Sequence, residues 1–286
     1  MPLLLFKRTG ETREMTFIDH LEALRWHIAR SLSAIIIGAI VVFIYIEWIF
    51  DHIITAPLYS DFITYTSLCK ISEQLGMGNH LCLPPPTNTG LQTTSFSSQF
   101  MSSITISIGC GFLLSFPYIF WEAWKFIRPA LTPKEKRSTR GMIWFVSAFF
   151  FLGAAFGYFL IAPFTFSFLS NYSISQTGIV VTRPTLSDYV ENLVDILFGS
   201  ALAFQMPVLS FIFTRMGLLT PQVLRQYRKY AYVGILVVAA VITPSSDWLS
   251  QLVVFIPLAF LYEISIGVSK RIITRQARKE REWDQR

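Results

Sequence analysis

Long apolar runs alternate with shorter polar segments along this chain. Six runs stand out, approximately Ser31–Phe50, Phe100–Trp121, Met142–Leu169, Leu193–Met216, Tyr230–Ile242 and Leu249–Val268. A hydrocarbon core of roughly 30 Å takes about 20 helical residues to cross. Inside lipid only helices and closed barrels satisfy every backbone N–H and C=O. Continuous apolar runs without strict alternation exclude the barrel. The pattern therefore predicts an all-α polytopic membrane protein with six transmembrane helices. Spans five and six are short; at about 13 residues the fifth covers only about 20 Å. There the membrane is thinned, or that face meets water or protein. Pro117, Pro163, Pro207 and Pro257 lie within spans two, three, four and six. Each removes a backbone donor, so the helices are expected to be kinked.

Composition agrees with a membrane class. The 286 residues have a mean hydropathy of +0.48 and 15% charged side chains, against about 25% in soluble domains. Of 24 Lys and Arg, all but Lys70 and Arg183 fall in the amino-terminal segment, the loops after spans two and four, or the carboxyl tail. Positive charge is retained in the cytoplasm, which predicts both termini inside. The first apolar run is too long for a signal peptide and lacks a small-residue cleavage site, so it is expected to remain in the mature chain.

Three regions follow. Residues 1–30 form a cytoplasmic amphipathic segment, opened by the capping-box-like pair Thr16 and Asp19. Phe17, Leu21, Leu24 and Ile28 share one helical face, with Asp19, Glu22, Trp26 and Arg30 opposite. Residues 31–268 form the six-helix domain, with an enlarged first outer loop at 51–99, and 269–286 are a charged cytoplasmic tail. The outer loop holds Pro84, Pro85 and Pro86 and both Cys69 and Cys82. If the outside is oxidising, a Cys69–Cys82 disulfide is expected there, with free thiols as the alternative. Cys110, inside span two, reads as a small buried apolar residue.

Catalytic signatures are absent: there is no H-E-x-x-H, G-x-S-x-G, Walker loop or dinucleotide fingerprint. His20, His27, His52 and His80 make no metal-ligand set, and His20 and His27 read as surface residues. No enzyme, metal, cofactor or nucleic-acid partner is expected. Asp195 and Glu263 read as lying near span ends. Gln205, two residues before Pro207, is the one strongly polar side chain placed mid-membrane, so it is expected to face the bundle or a thinned-membrane groove rather than lipid. Its amide can bond across helices or to the Ala203 carbonyl that Pro207 leaves without a partner.

Several strings, in order, resemble one family. F-I-D-H-L-E-A-L-R at Phe17–Arg25 is similar to the amino-terminal TatC signature, usually H-L-x-E-L-R. A-P-L at Ala56–Leu58, F-I-R-P-A-L at Phe126–Leu131 with K-E-K-R at Lys134–Arg137, and F-Q-M-P at Phe204–Pro207 look like its next landmarks. T-P-S-S-D-W-L-S-Q at Thr243–Gln251, then Pro257 and Glu263, resemble its closing hairpin.

The resemblance implies a bacterial cytoplasmic-membrane receptor for twin-arginine signal peptides, moving folded proteins with the proton motive force. It implies single-span TatA-type and TatB-type partners, self-association and contact with lipid. Signal-peptide residues would be Asp19, Glu22, Arg25, Phe126 and Glu135. Gln205, Pro207, Asp247 and Gln251 would be the intramembrane or partner residues, and Pro57, Cys69 and Cys82 structural ones. Planar carboxylates suit two adjacent guanidinium groups, which donate charge-assisted bonds to them.

Three departures stand out. Ala23 occupies the usual glutamate position before L-R, with Glu22 one residue earlier, rotated by about 100° on a helix. Gln205 replaces an intramembrane glutamate, and the family's Pro and Glu landmarks are missing from Thr93–Gln99. Two other classes compete: a small-solute transporter, which usually shows internal repeats and buried ionisable residues, and a scaffold that recognises no substrate.

Overall fold

In the computed structural model the described residues are 17–74, 76, 82–86, 90–127, 141–173, 182–215, 217, 219–243 and 248–284, with the backbone alone at 17–20, 248–250, 276–277 and 279–284. Within them the chain is almost wholly helical, with one isolated parallel bridge, Gln92 to Thr185. Five helical stretches are long and apolar enough to cross a membrane: Leu21–Ile44, Ser98–Ile127, Met142–Asn171, Leu186–Arg215 and Gln251–Arg275.

Helix α1 (Phe17–Ile44) runs without interruption from the amphipathic segment into the first apolar run. It stops at Ile44, short of the expected Phe50, because Glu47, Asp51 and His52 do not belong in hydrocarbon. The chain leaves through a short helix α2 (Ile46–Ile49), a π turn (Phe50–Ile54) and a 3-10 turn (Ala56–Leu58), then α3 (Ile63–Gln74). Helix α4 (Ser98–Ile127) is the second span, with Pro117 inside it. The third span is α5 (Met142–Phe156), a π turn (Gly157–Ile161) and α6 (Ala162–Asn171), with Pro163 at the start of α6 where its missing N–H is harmless.

The fourth span is broken in the same way, into α7 (Leu186–Ala203) and α8 (Met206–Arg215). It begins at Leu186, earlier than expected, because the Thr185 hydroxyl caps it by accepting the Asp188 N–H at 3.1 Å. Asp195 consequently lies well inside a helix rather than near a span end; it is exposed, on one face with Asp188 and Glu191. A small helix α9 (Pro221–Gln226) precedes α10 (Arg228–Ile242) and α11 (Trp248–Asp284). At 15 residues, α10 is about 22 Å long. Helix α11 continues past Val268 to Asp284, so the expected tail is largely a helical extension of the last span.

Helix α4 sits against α1, α5 and α7; α8 and α10 pack on α11. The α1–α4 crossing brings backbones into contact. A Cβ at Gly111 would come within 2.5 Å of the Ala39 nitrogen, and one at Gly38 within 3.0 Å of the Gly111 carbonyl oxygen. One turn on, the Ser115 hydroxyl donates to the Ala34 carbonyl at 2.9 Å. Small residues at four-residue spacing on both helices permit this approach, which lipid alone does not drive. On the other side of α4, Phe116 stacks on fully buried Phe150 with ring centroids 3.5 Å apart. Phe112, Phe116, Phe120 and Trp124 continue as a ladder at helical spacing.

Opposite the amino-terminal end of α1, Cys69 and Cys82 form a disulfide with Cα atoms 4.5 Å apart. It ties α3 to the proline strap, whose Pro84 carbonyl accepts the Ser167 hydroxyl at 2.6 Å. Pro57 is buried, and its carbonyl accepts the Tyr65 phenol at 3.0 Å. Burial raises the pKa of that phenol well above its usual value, keeping it protonated and a donor.

Gly111→Leu is expected to open the α1–α4 crossing, at the overpacking cost of about 1–3 kcal/mol. Thermal unfolding in detergent should show a lower midpoint, while Gly234→Leu, where a Cβ meets nothing within 4 Å, should leave it near the parent value.

Candidate functional site

The first turns of α1 and the last turns of α4 meet at the end of the bundle where basic residues collect. Their contact is built around Glu122, whose side chain is 1% exposed. His27 Nδ1–H donates to Glu122 Oε2 at 2.5 Å, and Lys125 Nζ donates to Oε1 at 3.1 Å. Arg30 approaches Oε2 at 3.9 Å. A buried carboxylate without partners is strongly unfavourable; here α1 supplies two of its three partners, His27 and Arg30. Arg30 is half-exposed at the edge of ion-pair range, so it adds little. The His27 bond, reaching from α1 to α4 and shielded from water, is the one that holds. Lys125 is fixed twice, lying 3.5 Å over the Trp121 ring.

Around this clasp lie residues expected from sequence. Phe126 meets His27 edge to face at 6.1 Å between ring centroids. Glu22 and Arg25 are exposed on α1, and Glu22 has no ion-pair partner among the described residues. Asp19 lies in α1 with its backbone alone described. Glu135 and Asp247 lie outside the described residues. His27 is not the surface histidine expected, because a carboxylate 95 positions away in sequence pairs with it.

Glu122 was missed because the second apolar run was ended at Trp121. Its signal was present in F-W-E-A-W-K, Phe120–Lys125: an acid flanked by aromatics, three residues before a lysine on a helix.

Gln205, 9% exposed, sits between α7 and α8 and donates from Nε2 to the Val146 carbonyl of α5 at 3.3 Å. It therefore faces the bundle, bonding across helices rather than to Ala203; Pro207 beside it is buried. Gln251 Nε2 donates to the Leu236 carbonyl at 3.2 Å, joining α11 to α10. Glu263 accepts from Arg228 at 2.8 Å and from the Tyr232 phenol at 2.6 Å, a second α10–α11 tie. Among the described residues no group of three or more His, Cys, Asp or Glu could hold a metal ion.

The family model described as "Sec-independent protein translocase protein (TatC)" matches residues 19–257. The chain belongs to the TatC family. Among curated relatives, the TatC of Blattabacterium sp. subsp. Periplaneta americana (strain BPLAN) is 36% identical over 260 residues, 91% of this chain and 97% of that one. The TatC of Deinococcus radiodurans is 30% identical over 260 residues, 91% of this chain and 87% of its own length. A crystal structure of the twin-arginine translocase receptor TatC superposes with a TM-score of 0.67 at 29% identity, over 88% of this chain and 98% of that one. A second, in the detergent DDM, gives 0.68 at 28% identity, over 87% and 99%. As a TatC-family chain with five helices able to cross a membrane, this is an integral membrane component of the Sec-independent, twin-arginine translocase.

In this TatC-family chain Glu122→Ala is expected to loosen α1 from α4 by about 2–3 kcal/mol, the worth of hydrogen bonds to a charged group together with the unpaired donor left behind. Glu122→Gln, which keeps the shape and one acceptor, should cost less. Cysteine crosslinking between the amino-terminal half of α1 and the end of α4 should fall in the order parent, Gln, Ala.

Proposed function

We propose that this chain is the receptor for twin-arginine signal peptides and the core subunit through which folded proteins leave the cytoplasm, driven by the proton motive force. The observation that supports it most directly is an exposed carboxylate, Glu22, with no ion-pair partner among the described residues, on a helix that Glu122 locks to α4. It stands at the basic end of a chain matched to the TatC family over residues 19–257. In this reading the basic end is cytoplasmic, both termini lie there, and α10 is the fifth of six spans of a protein in the bacterial inner membrane. The concentration of Lys and Arg at that end supports the orientation.

Asp19, Glu22 and Glu135 form an acidic cradle for the two arginines, with Arg25 and Phe126 at its edge. The surroundings are cationic and repel an arginine pair unless carboxylates are held locally against it. Glu122, saturated by its own partners, positions α1 and does not receive the peptide. Gln205 and Pro207, with Asp247 and Gln251, make the region where TatA-type and TatB-type single-span proteins assemble, and copies of the chain associate.

Binding of a twin-arginine precursor to the chain in membranes tests the cradle. Glu135→Lys should weaken it by about 2–5 kcal/mol if the pair is desolvated, and by about 1 kcal/mol or less at an exposed site. Neutralising Asp19 and Glu22 together should be severe and Ala23→Glu should restore binding; unchanged affinity of the double variant at low salt would remove this helix from the cradle. Gln205→Leu should reduce crosslinking to a TatA-type partner while insertion stays intact, and equal crosslinking and export would remove Gln205 from that role.

A further inference from the structure

Helix α1 is held to α4 unevenly along its length. The crossing at Gly38 and Gly111 fixes its middle, and the Ser115 hydroxyl reaches the Ala34 carbonyl one turn nearer the start of α1. From Ala34 back to Phe17 the helix runs roughly 25 Å further. Over that length the His27–Glu122 bond is the one side-chain hydrogen bond between the two helices among the described residues. The turns that carry Asp19, Glu22 and Arg25 lie beyond it.

The three partners of Glu122 differ in what they join. Lys125 sits on α4 with the carboxylate, so its bond does not cross between helices. Arg30 crosses, but it is half-exposed and stands at 3.9 Å. The partners differ also in chemistry. Lysine and arginine side chains keep their charge through the neutral range, whereas an imidazole changes charge between about pH 5 and 8. Of the three, His27 alone makes a hydrogen bond between the helices and carries a group of that kind. Among the described residues the charged groups around it are Glu122 and Lys125 of α4 and Arg30 of its own helix, and α4 is the element packed along this part of α1. Glu122, 1% exposed, has no access to water to replace a lost partner. An imidazolium gives it a charge-assisted bond, roughly twice as strong as the bond from neutral imidazole. The hold of α1 on α4 is therefore strongest where imidazole is protonated and weakens as the pH rises.

The same ring touches the surface assigned to recognition. Phe126 meets it edge to face at 6.1 Å between centroids, and Glu22 lies about 7.5 Å from it along the helix axis. We propose that His27 is a protonation-dependent positioning residue. As imidazolium it holds the first turns of α1 against α4, and as neutral imidazole it releases them. On the receptor reading given above, on which this link rests, the presentation of Asp19, Glu22 and Arg25 beside Phe126 follows the pH at the basic face of the membrane.

Pulsed electron paramagnetic resonance between nitroxide labels at Leu21→Cys of α1 and Ile127→Cys of α4, both exposed positions, reads the placement of these turns in the full chain without any peptide. The chain carries Cys110→Ser to remove the free thiol and His20→Gln to remove the other imidazole of α1. The ratio of held to released populations should fall roughly tenfold from about pH 5 to about pH 8, the difference between a charge-assisted and a neutral hydrogen bond. His27→Arg should stay held throughout, and His27→Gln, neutral and still a donor, should stay at the parent's alkaline ratio. A parent ratio that does not move with pH, or one that moves equally in His27→Gln, overturns the proposal. Affinity for a twin-arginine peptide, measured on the same proteins without labels, tests the link to recognition. It should weaken by up to about tenfold over that range in the parent and stay constant in His27→Arg. Affinity independent of pH beside a moving α1 overturns the link. Absence of binding at every pH counts against the receptor reading instead, and the resonance result then decides the switch by itself.

Discussion

Hydrocarbon offers no hydrogen bonds, so every carbonyl and N–H released by a break in a helix must find a partner inside the protein. At the breaks in this bundle, several carbonyls find such partners. The π turn and 3-10 turn after α2 leave the Ile53, Ile54 and Pro57 carbonyls accepting from the phenols of Tyr158, Tyr189 and Tyr65. Each tyrosine comes from a different element, so satisfying the backbone also staples the first outer segment to α3, α5–α6 and α7. Tyr65 serves twice, reaching the Pro163 carbonyl at 3.3 Å. At the α7–α8 break the Gln205 amide meets its own need for a partner by donating to the Val146 carbonyl of α5.

The two ends of the bundle meet the same constraint with opposite chemistry. At the basic end one buried acid collects cations from two helices and fixes how α1 lies on α4. At the other end Glu47 and Asp51 are exposed and have no ion-pair partner among the described residues. Between them runs a middle held by shape: glycine and serine contacts on one side of α4, and stacked phenylalanines on the other.

Much of the fold was legible because hydrocarbon imposes a simple rule on composition. Runs of apolar residues marked the spans, and prolines marked where they bend. Span ends were less legible. Leu186–Val190 was left out of span four because Asp188 and Glu191 dilute the apolar run, although both face outward beside Asp195 on one side of a helix. The helical continuation of α11 to Asp284 lies beyond the apolar run that marks the span, so hydropathy alone did not reveal it.

Sequence by itself determined the class, the number of long apolar runs, the family strings and the candidate carboxylates, because each depends on residues close together in the chain. It also singled out Gln205 and the Cys69–Cys82 pair. Tertiary structure decided which side chains have partners. Glu122 became a buried clasp only because His27, 95 residues away, is carried to it by the α1–α4 crossing. The strap at 91–93 lies against the start of α7 only because Gln92 bonds to Pro184 and Leu186, some 90 residues on. A charge has meaning through what lies within a few ångströms of it, and in this chain those neighbours come from distant parts of the sequence.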